Sequence, residues 1–125
     1  MRFEGKTALV TGAAGGIGQV LVGLLRREGA RVAVSDRDSG AVEAEAHLDG
    51  DLRDGAFCDG LPGQAEAALG GLDILCNNAG VITRGDITQA TDADYALTMG
   101  LMSRRRFAFA ARRSRSWRRG AVGRL

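Results

Sequence analysis

A glycine-rich stretch near the amino terminus, TGAAGGIG, has the residue types and spacing to bind phosphate groups. Gly12, Gly16 and Gly18 follow a G-x-x-x-G-x-G spacing between an apolar run and a helical pattern. One glycine permits a tight turn out of a strand, another lets the backbone approach a diphosphate, and a third allows a helix to pack closely on the strand. The amino end of the following helix offers free N–H groups and partial positive charge. The alternative is a strand-to-helix turn without a ligand.

An acidic residue, Asp36, ends the second apolar run, at nearly the offset expected for a carboxylate that binds a ribose 2′-hydroxyl. Such a carboxylate accepts hydrogen bonds from ribose hydroxyls and repels a 2′-phosphate, which favours NAD over NADP. Arg37 complicates this preference because a guanidinium tolerates the phosphate, but the glycine-rich stretch contains no basic residue. We therefore expect NAD, with NADP less favoured. The alternative is that Asp36 is a solvated acid at a strand end.

Strand and helix patterns alternate along the chain that carries these residues. The predicted strands are KTALV (residues 6–10), RVAVS (31–35), HLDGDL (47–52, a weak strand or its exit) and LDILC (72–76). Helical patterns cover QVLVGLLRREG (19–29), residues 39–46, residues 64–69 and a segment from 92 to about 99. This alternation predicts βαβ units, and therefore an α/β fold with a parallel sheet and helices on its faces.

Four motifs, TGAAGGIG, VSDRD, GDLRD and LDILCNNAG, resemble the N-terminal half of the short-chain dehydrogenase/reductase family in order and spacing. The resemblance covers residues 1–100 and implies a partial Rossmann-like, doubly wound half-domain with strand order 3-2-1-4. It also implies hydride transfer between a nicotinamide cofactor and an alcohol or carbonyl substrate that the sequence does not identify. The residues implied to bind the cofactor are Gly12, Gly15, Gly16, Ile17 and Gly18 at the diphosphate and nicotinamide approach, Asp36 and Arg37 at the adenosine ribose, Asp51 and Leu52 at the adenine, and Asn78, Ala79 and Gly80 at the riboses.

The residues that move protons in this family have no counterpart in the chain. The family uses a tyrosine, a lysine four residues later, a serine and an upstream asparagine, and such chemistry needs a titratable group within reach of the substrate. The single tyrosine, Tyr95, has Met99 four positions on, and the single lysine, Lys6, precedes the first strand. We therefore expect no catalytic residue and no turnover. We expect a structural or solvated role for His47 and no metal site.

Residues 101–125 differ in composition from the rest of the chain. This segment has nine arginines and no acid, a net charge of +9, whereas residues 1–100 have 15 acids and 8 basic residues, a net charge of −7. One interpretation is a basic tail, irregular or a frayed helix, that contacts nucleic-acid phosphates without sequence preference. Another is a regulatory pseudoenzyme that binds NAD and pairs with a full-length relative.

The interpretation that we favour is a tail translated out of frame, which is not a domain. If one base were lost near the codon for Gly100, permitted alternative codons from Leu101 onward would spell VNVKAPFRFCRAAIPVMAARGGGTI. That peptide resembles the family's continuation, with its Val-Asn pair, an apolar helix and a glycine turn. In this interpretation the chain is truncated, its fourth strand is an open edge, and the family's oligomer interface is lost.

The opening residues and the cysteines bear on the cellular compartment of the protein. The opening MRFEGKTALV has too short an apolar run for a signal peptide. No apolar run approaches the ~20 residues that a membrane span needs. Cys58 and Cys76 lack metal-ligand spacing and are expected as reduced thiols. We therefore expect a cytoplasmic protein without a membrane partner.

Overall fold

Four parallel strands form one sheet in the order β3-β2-β1-β4 in a computed structural model that describes residues 1–80 and 88–99. The elements are β1 (Thr7–Thr11), α1 (Gly16–Arg27), β2 (Arg31–Ser35), β3 (Ala46–His47), α2 (Gly55–Leu69), β4 (Ile74–Cys76) and α3 (Asp92–Met99). The predicted partial Rossmann-like fold and its strand order are therefore confirmed. The predictions for residues 101–125 lie outside the described residues.

The central strand β1 is buried on both faces, and each face packs against one helix. Val10 belongs to a core cluster that includes Val22 and Leu25 of α1. Leu9 belongs to a second cluster that includes Leu61 and Leu69 of α2. Because successive side chains of a strand point to opposite faces, a continuous apolar run such as ALV is the pattern of a strand covered on both sides.

The register between β1 and β4 is set where the two strands begin. The Asp73 carboxylate accepts hydrogen bonds from the Thr7 amide at 2.9 Å and from the Thr7 hydroxyl at 3.1 Å. In return, the Asp73 amide donates to the Thr7 carbonyl at 3.0 Å. Ala8 then pairs with Ile74. The fourth strand therefore begins at Ile74, two residues after the predicted start, and Leu72 lies in the core.

The prediction of a helix for residues 39–46 is wrong. The chain makes a turn in which the Val42 amide donates to the Ser39 carbonyl at 2.9 Å, and it then runs extended beside β2. The Glu45 amide donates to the Val32 carbonyl at 2.9 Å, and the Glu45 carboxylate accepts from the Val32 amide at 2.6 Å. Side chains that bond the backbone locally, such as Asp38 to the Gly40 amide at 3.0 Å, favour turns over helix.

The helix predicted for residues 64–69 is longer than expected and begins at Gly55. Its cap is Asp54, whose carboxylate accepts from the Ala56 amide at 2.9 Å and from the Phe57 amide at 3.4 Å. Pro62 lies inside the helix and is buried. Apolar burial against the sheet therefore outweighs the poor helix propensity of this glycine- and proline-containing segment. Among the described residues, no helix is long and apolar enough to cross a membrane.

Helix α1 packs tightly against the turn that precedes it. A side chain at Gly18 would overlap the Gly12 carbonyl oxygen and would lie 2.8 Å from the Ala13 Cα atom. A side chain at Gly23, one and a half turns further along the same helix, would meet no atom within 4 Å. Only the first of these two glycines is required by close packing.

Alanine substitutions at these two glycines should have opposite effects on stability. Gly18→Ala forces the helix away from the turn and should lower the free energy of unfolding by about 1–3 kcal/mol. Gly23→Ala improves helix propensity without a clash and should raise the free energy of unfolding by about 0.5–1 kcal/mol. Urea unfolding followed by far-UV circular dichroism measures both. Equal shifts in the same direction would contradict the packing described for Gly18.

Candidate functional site

The residues singled out in the sequence meet at one edge of the sheet, where the parallel strands end. Gly12 follows β1, Asp36 follows β2, and Asn78 lies two residues beyond β4. Because β1 lies between β2 and β4, the glycine-rich turn is placed between the other two segments. In open α/β sheets, this carboxyl edge is where ligands bind.

The glycines of the turn have separate structural roles. Gly12 has φ of +64°, and a Cβ atom there would lie 2.8 Å from the Ala79 Cα atom. Gly16 opens helix α1, and a Cβ atom there would meet nothing within 4 Å. Gly15, the residue before the helix, makes no side-chain cap, and the first turn contains no acid. The amino end of α1 therefore offers its N–H groups to an anion from an open approach.

Thr11, which the sequence analysis did not assign a role, ties the glycine-rich turn to the segment after β4. Its buried hydroxyl accepts hydrogen bonds from the Asn78 and Ala79 amides, both at 3.2 Å, and donates to the Cys76 carbonyl at 3.4 Å. The Asn78 side-chain amide donates to the Gly12 carbonyl at 3.2 Å. The signal available in the sequence was a hydroxyl residue directly after the apolar run ALV.

Asp36 connects the other side of the turn to β2. Its Oδ2 atom accepts from the Ala14 amide at 2.9 Å, and its Oδ1 atom accepts from the Arg37 amide at 2.7 Å. The carboxylate is half-buried. A carboxylate oxygen has lone pairs beyond those used here, so Asp36 can still accept from hydroxyl groups of a ligand.

Beside Asp36 lies a charged group centred on Asp51. The Asp51 carboxylate binds the Arg53 guanidinium at 2.7 Å and lies 3.9 Å from the guanidinium of Arg37. The hydrogen bonds from Arg53, with a smaller contribution from the charge of Arg37, lower the pKa of Asp51 to about 2. The side chain of Leu52 is buried in the core with residues of α2.

Further predicted site residues are exposed at this edge, and two buried polar atoms lie near it. Ile17 is 76% exposed on the first turn of α1, and Gly80 is exposed. Within the described residues, the Ser35 hydroxyl and the Asn77 side-chain carbonyl are buried without a hydrogen-bond partner. Ser35 ends β2 and Asn77 follows β4, so both atoms belong to segments that reach this edge, but neither is open to a ligand in this structure.

The one lysine and the one tyrosine of the sequence lie on other elements than the glycine-rich turn, Asp36 and Asn78. Lys6 immediately precedes β1, which places it at the amino edge of the sheet, opposite the glycine-rich turn. Tyr95 is 69% exposed on α3. Among residues 1–80 and 88–99, no group of three or more His, Cys, Asp or Glu side chains is arranged to hold a metal ion. The described site has groups for binding an anion and hydroxyls.

Comparison with curated proteins places this architecture among dehydrogenases. Residues 6–125 match the family model described as short chain dehydrogenase. The chain is 38% identical to a sorbitol dehydrogenase of Cereibacter sphaeroides, covering 76% of this chain and 40% of that protein. It is 35% identical to a 2,3-dihydro-2,3-dihydroxybenzoate dehydrogenase of Bacillus subtilis, covering 81% and 43%. The chain therefore spans less than half the length of these relatives.

Solved structures agree with the sequence relatives. A short chain dehydrogenase from Burkholderia cenocepacia in complex with NADP superposes with a TM-score of 0.83 at 30% identity, covering 89% of this chain and 50% of that one. A blue fluorescent protein from a metagenomic library, in complex with NADPH, superposes with a TM-score of 0.75 at 30% identity, covering 86% and 49%. On its sequence match, sheet order and structural neighbours, the chain belongs to the short-chain dehydrogenase family.

Proposed function

We propose that the described part of the chain binds a nicotinamide dinucleotide, preferentially NAD, across the carboxyl ends of β1, β2 and β4. One observation carries the proposal: the Asp36 carboxylate is held 2.9 Å from the Ala14 amide of the glycine-rich turn. An acceptor for ribose hydroxyls is thereby placed next to an amino end of a helix that favours phosphate. A dinucleotide carries both groups a short distance apart.

The open positions of the site fit the parts of such a cofactor. The open backbone at Gly15 and Gly16 and the acid-free first turn of α1 suit the diphosphate. In this proposal Ile17, which is exposed, and Gly18, which is buried beside it, line the approach to the nicotinamide. In the same proposal the segment of Asp51 and Leu52 borders the adenine. Asn78, Ala79 and Gly80, which follow the carboxyl end of β4, border the riboses.

The preference for NAD is argued from charge. The Asp36 carboxylate would repel a 2′-phosphate on the adenosine ribose, at the position where NADP differs from NAD. Arg37 could offset this repulsion, but its guanidinium is drawn toward Asp51 at 3.9 Å. The NADP and NADPH in the two neighbouring structures belong to those proteins.

For the whole protein we propose hydride transfer between the cofactor and an alcohol or carbonyl compound, the reaction type implied by relatives named dehydrogenases. The cofactor, when bound, supplies or accepts the hydride. The described residues contribute binding and orientation. The two cysteines, Cys58 and Cys76, are not joined in a disulfide, which supports a reducing compartment such as the cytoplasm.

Replacing the ribose-facing acid should weaken NAD binding selectively. Asp36→Ala removes charged acceptors for ribose hydroxyls and should raise the Kd for NAD by about tenfold or more, with less discrimination against NADP. Isothermal titration calorimetry of each variant with NAD and NADP measures this. Asp38→Ala, an exposed acid two residues away, is the matched control and should leave both affinities unchanged. Equal losses in the two variants, or absence of NAD binding by the unmodified chain, would refute the proposed site.

We further propose that this chain by itself does not turn over substrate, because Lys6 lies at the opposite edge of the sheet from the site and Tyr95 has no lysine four residues on. Purified protein mixed with NAD and a panel of primary and secondary alcohols should produce no NADH absorbance above a protein-free control. Reproducible NADH formation that scales with protein concentration would overturn this proposal.

For residues 101–125 we propose an out-of-frame origin, supported by the abrupt change from net −7 to net +9 at residue 100. The family match extends across these residues as well, so an in-frame tail is the rival interpretation. Sequencing the coding DNA around codon 100 should show that the shifted frame encodes a Val-Asn pair and an apolar helix. A shifted frame that encodes no such peptide would remove the idea and favour a basic tail that binds nucleic-acid phosphates at low salt.

A further inference from the structure

A cluster of three side chains outside the proposed site converges on the segment that carries Asp36. The Asp49 carboxylate, two residues beyond β3, accepts three hydrogen bonds from that segment. Its donors are the Asp36 amide at 3.2 Å, the Ser39 amide at 2.9 Å and the Ser39 hydroxyl at 2.6 Å. Asp49 therefore acts as a common acceptor for the chain leaving β2.

The third member, His47, shows how the protons of this cluster are arranged. Its Nδ1 atom lies 2.9 Å from the Ser39 hydroxyl oxygen. The Ser39 hydroxyl has one proton to donate. Its hydrogen bond to the Asp49 carboxylate, at 2.6 Å, is charge-assisted and therefore stronger than one to histidine, so the proton lies there. The His47 Nδ1–H group then donates to Ser39, which donates to Asp49.

This order of donors excludes a nucleophilic role for Ser39. A serine nucleophile gives its proton to histidine and is open to substrate. Here Ser39 is fully buried and its proton is directed at Asp49. The cluster is therefore a support for the backbone.

The backbone of Asp36 is held on both sides by the segment that contains Asp49. The Asp36 amide donates to the Asp49 carboxylate at 3.2 Å, and the Asp36 carbonyl accepts from the Gly50 amide at 2.9 Å. With its backbone fixed, Asp36 directs its side chain at the Ala14 amide. The direction of the Asp36 carboxylate thus depends on Asp49, a residue that is not among those proposed to contact the cofactor.

We infer that Asp49 is a positioning residue that orients the Asp36 carboxylate toward the adenosine ribose 2′-hydroxyl. Ser39, which contacts His47, in turn holds the Asp49 carboxylate in place. The inference rests on the proposed dinucleotide site and adds a residue that the family motifs do not contain. It predicts that Asp49 controls one contact of the cofactor, the 2′-hydroxyl, more than the affinity for the rest of the molecule.

The charge of Asp49 matters for this role. Partial burial by itself raises the pKa of Asp49. The hydrogen bonds from Ser39 and Asp36, together with the nearby His47, lower the pKa by more than burial raises it, so the pKa lies below its usual range. The group is an anion with acceptor atoms only. An asparagine has the same shape but one acceptor oxygen and a donor nitrogen, so Asp49→Asn leaves at least one of the three donors without its acceptor.

The test compares two ligands on the full chain: NAD and the NAD analogue that lacks the 2′-hydroxyl of the adenosine ribose. Isothermal titration calorimetry gives the ratio of the two Kd values for each variant. The unmodified chain should bind NAD about tenfold more tightly than the analogue, and Asp49→Asn should reduce that ratio to less than about threefold. Asp38→Asn removes the same charge from an exposed side chain that accepts from the nearby Gly40 amide at 3.0 Å, and should keep the tenfold ratio.

The ratio separates positioning from general destabilisation. A variant that is only partly folded binds both ligands more weakly by the same factor, so the ratio is unchanged. If Asp49→Asn keeps the ratio of the unmodified chain, the inference is overturned while the proposed function stands. If the unmodified chain binds neither ligand, the proposed function fails. If it binds both equally, Asp36 does not contact the 2′-hydroxyl and the inference fails with it.

Discussion

The pairing of β1 with a parallel strand on each side is the constraint on which the rest of the structure depends. β1 pairs with β2 over five residues and with β4 over three, and its side chains are buried between α1 and α2. Since parallel strands end at the same edge, this pairing brings three separate segments of the chain together. The glycine-rich turn lies between the other two because β1 lies between β2 and β4.

Polar side chains then hold the segments that meet at this edge in fixed positions. Thr11 and Asn78 bind the segment after β4 to the glycine-rich turn, and Asp36 binds the turn to β2. These contacts join residues more than twenty positions apart in sequence, so they depend on the sheet bringing the segments together. Preorganised donors and acceptors of this kind reduce the ordering that a ligand must impose on binding.

Binding and proton transfer are physically separate tasks in this chain. The amino end of α1 and the Asp36 carboxylate are suited to phosphate and hydroxyl groups, which need fixed dipoles and charges. Proton transfer needs a titratable group at hydrogen-bond distance from the substrate, and Lys6 lies at the opposite edge of the sheet. In the described part of the chain, the groups suited to binding and the lysine therefore lie at opposite edges of one sheet.

The sequence by itself determined the apolar strands, the glycine-rich turn and the acid after β2, because apolar runs and the glycine spacing are local patterns with few structural solutions. The strand order was implied by the resemblance to the family, and the sheet confirms it. It misjudged residues 39–46 and the start of α2, where local turn bonds and burial against the sheet override helix propensity. Only the tertiary structure decided the roles of Thr11 and Asp49. Their partners lie far along the chain, and no local pattern states which distant amide a hydroxyl or carboxylate will meet.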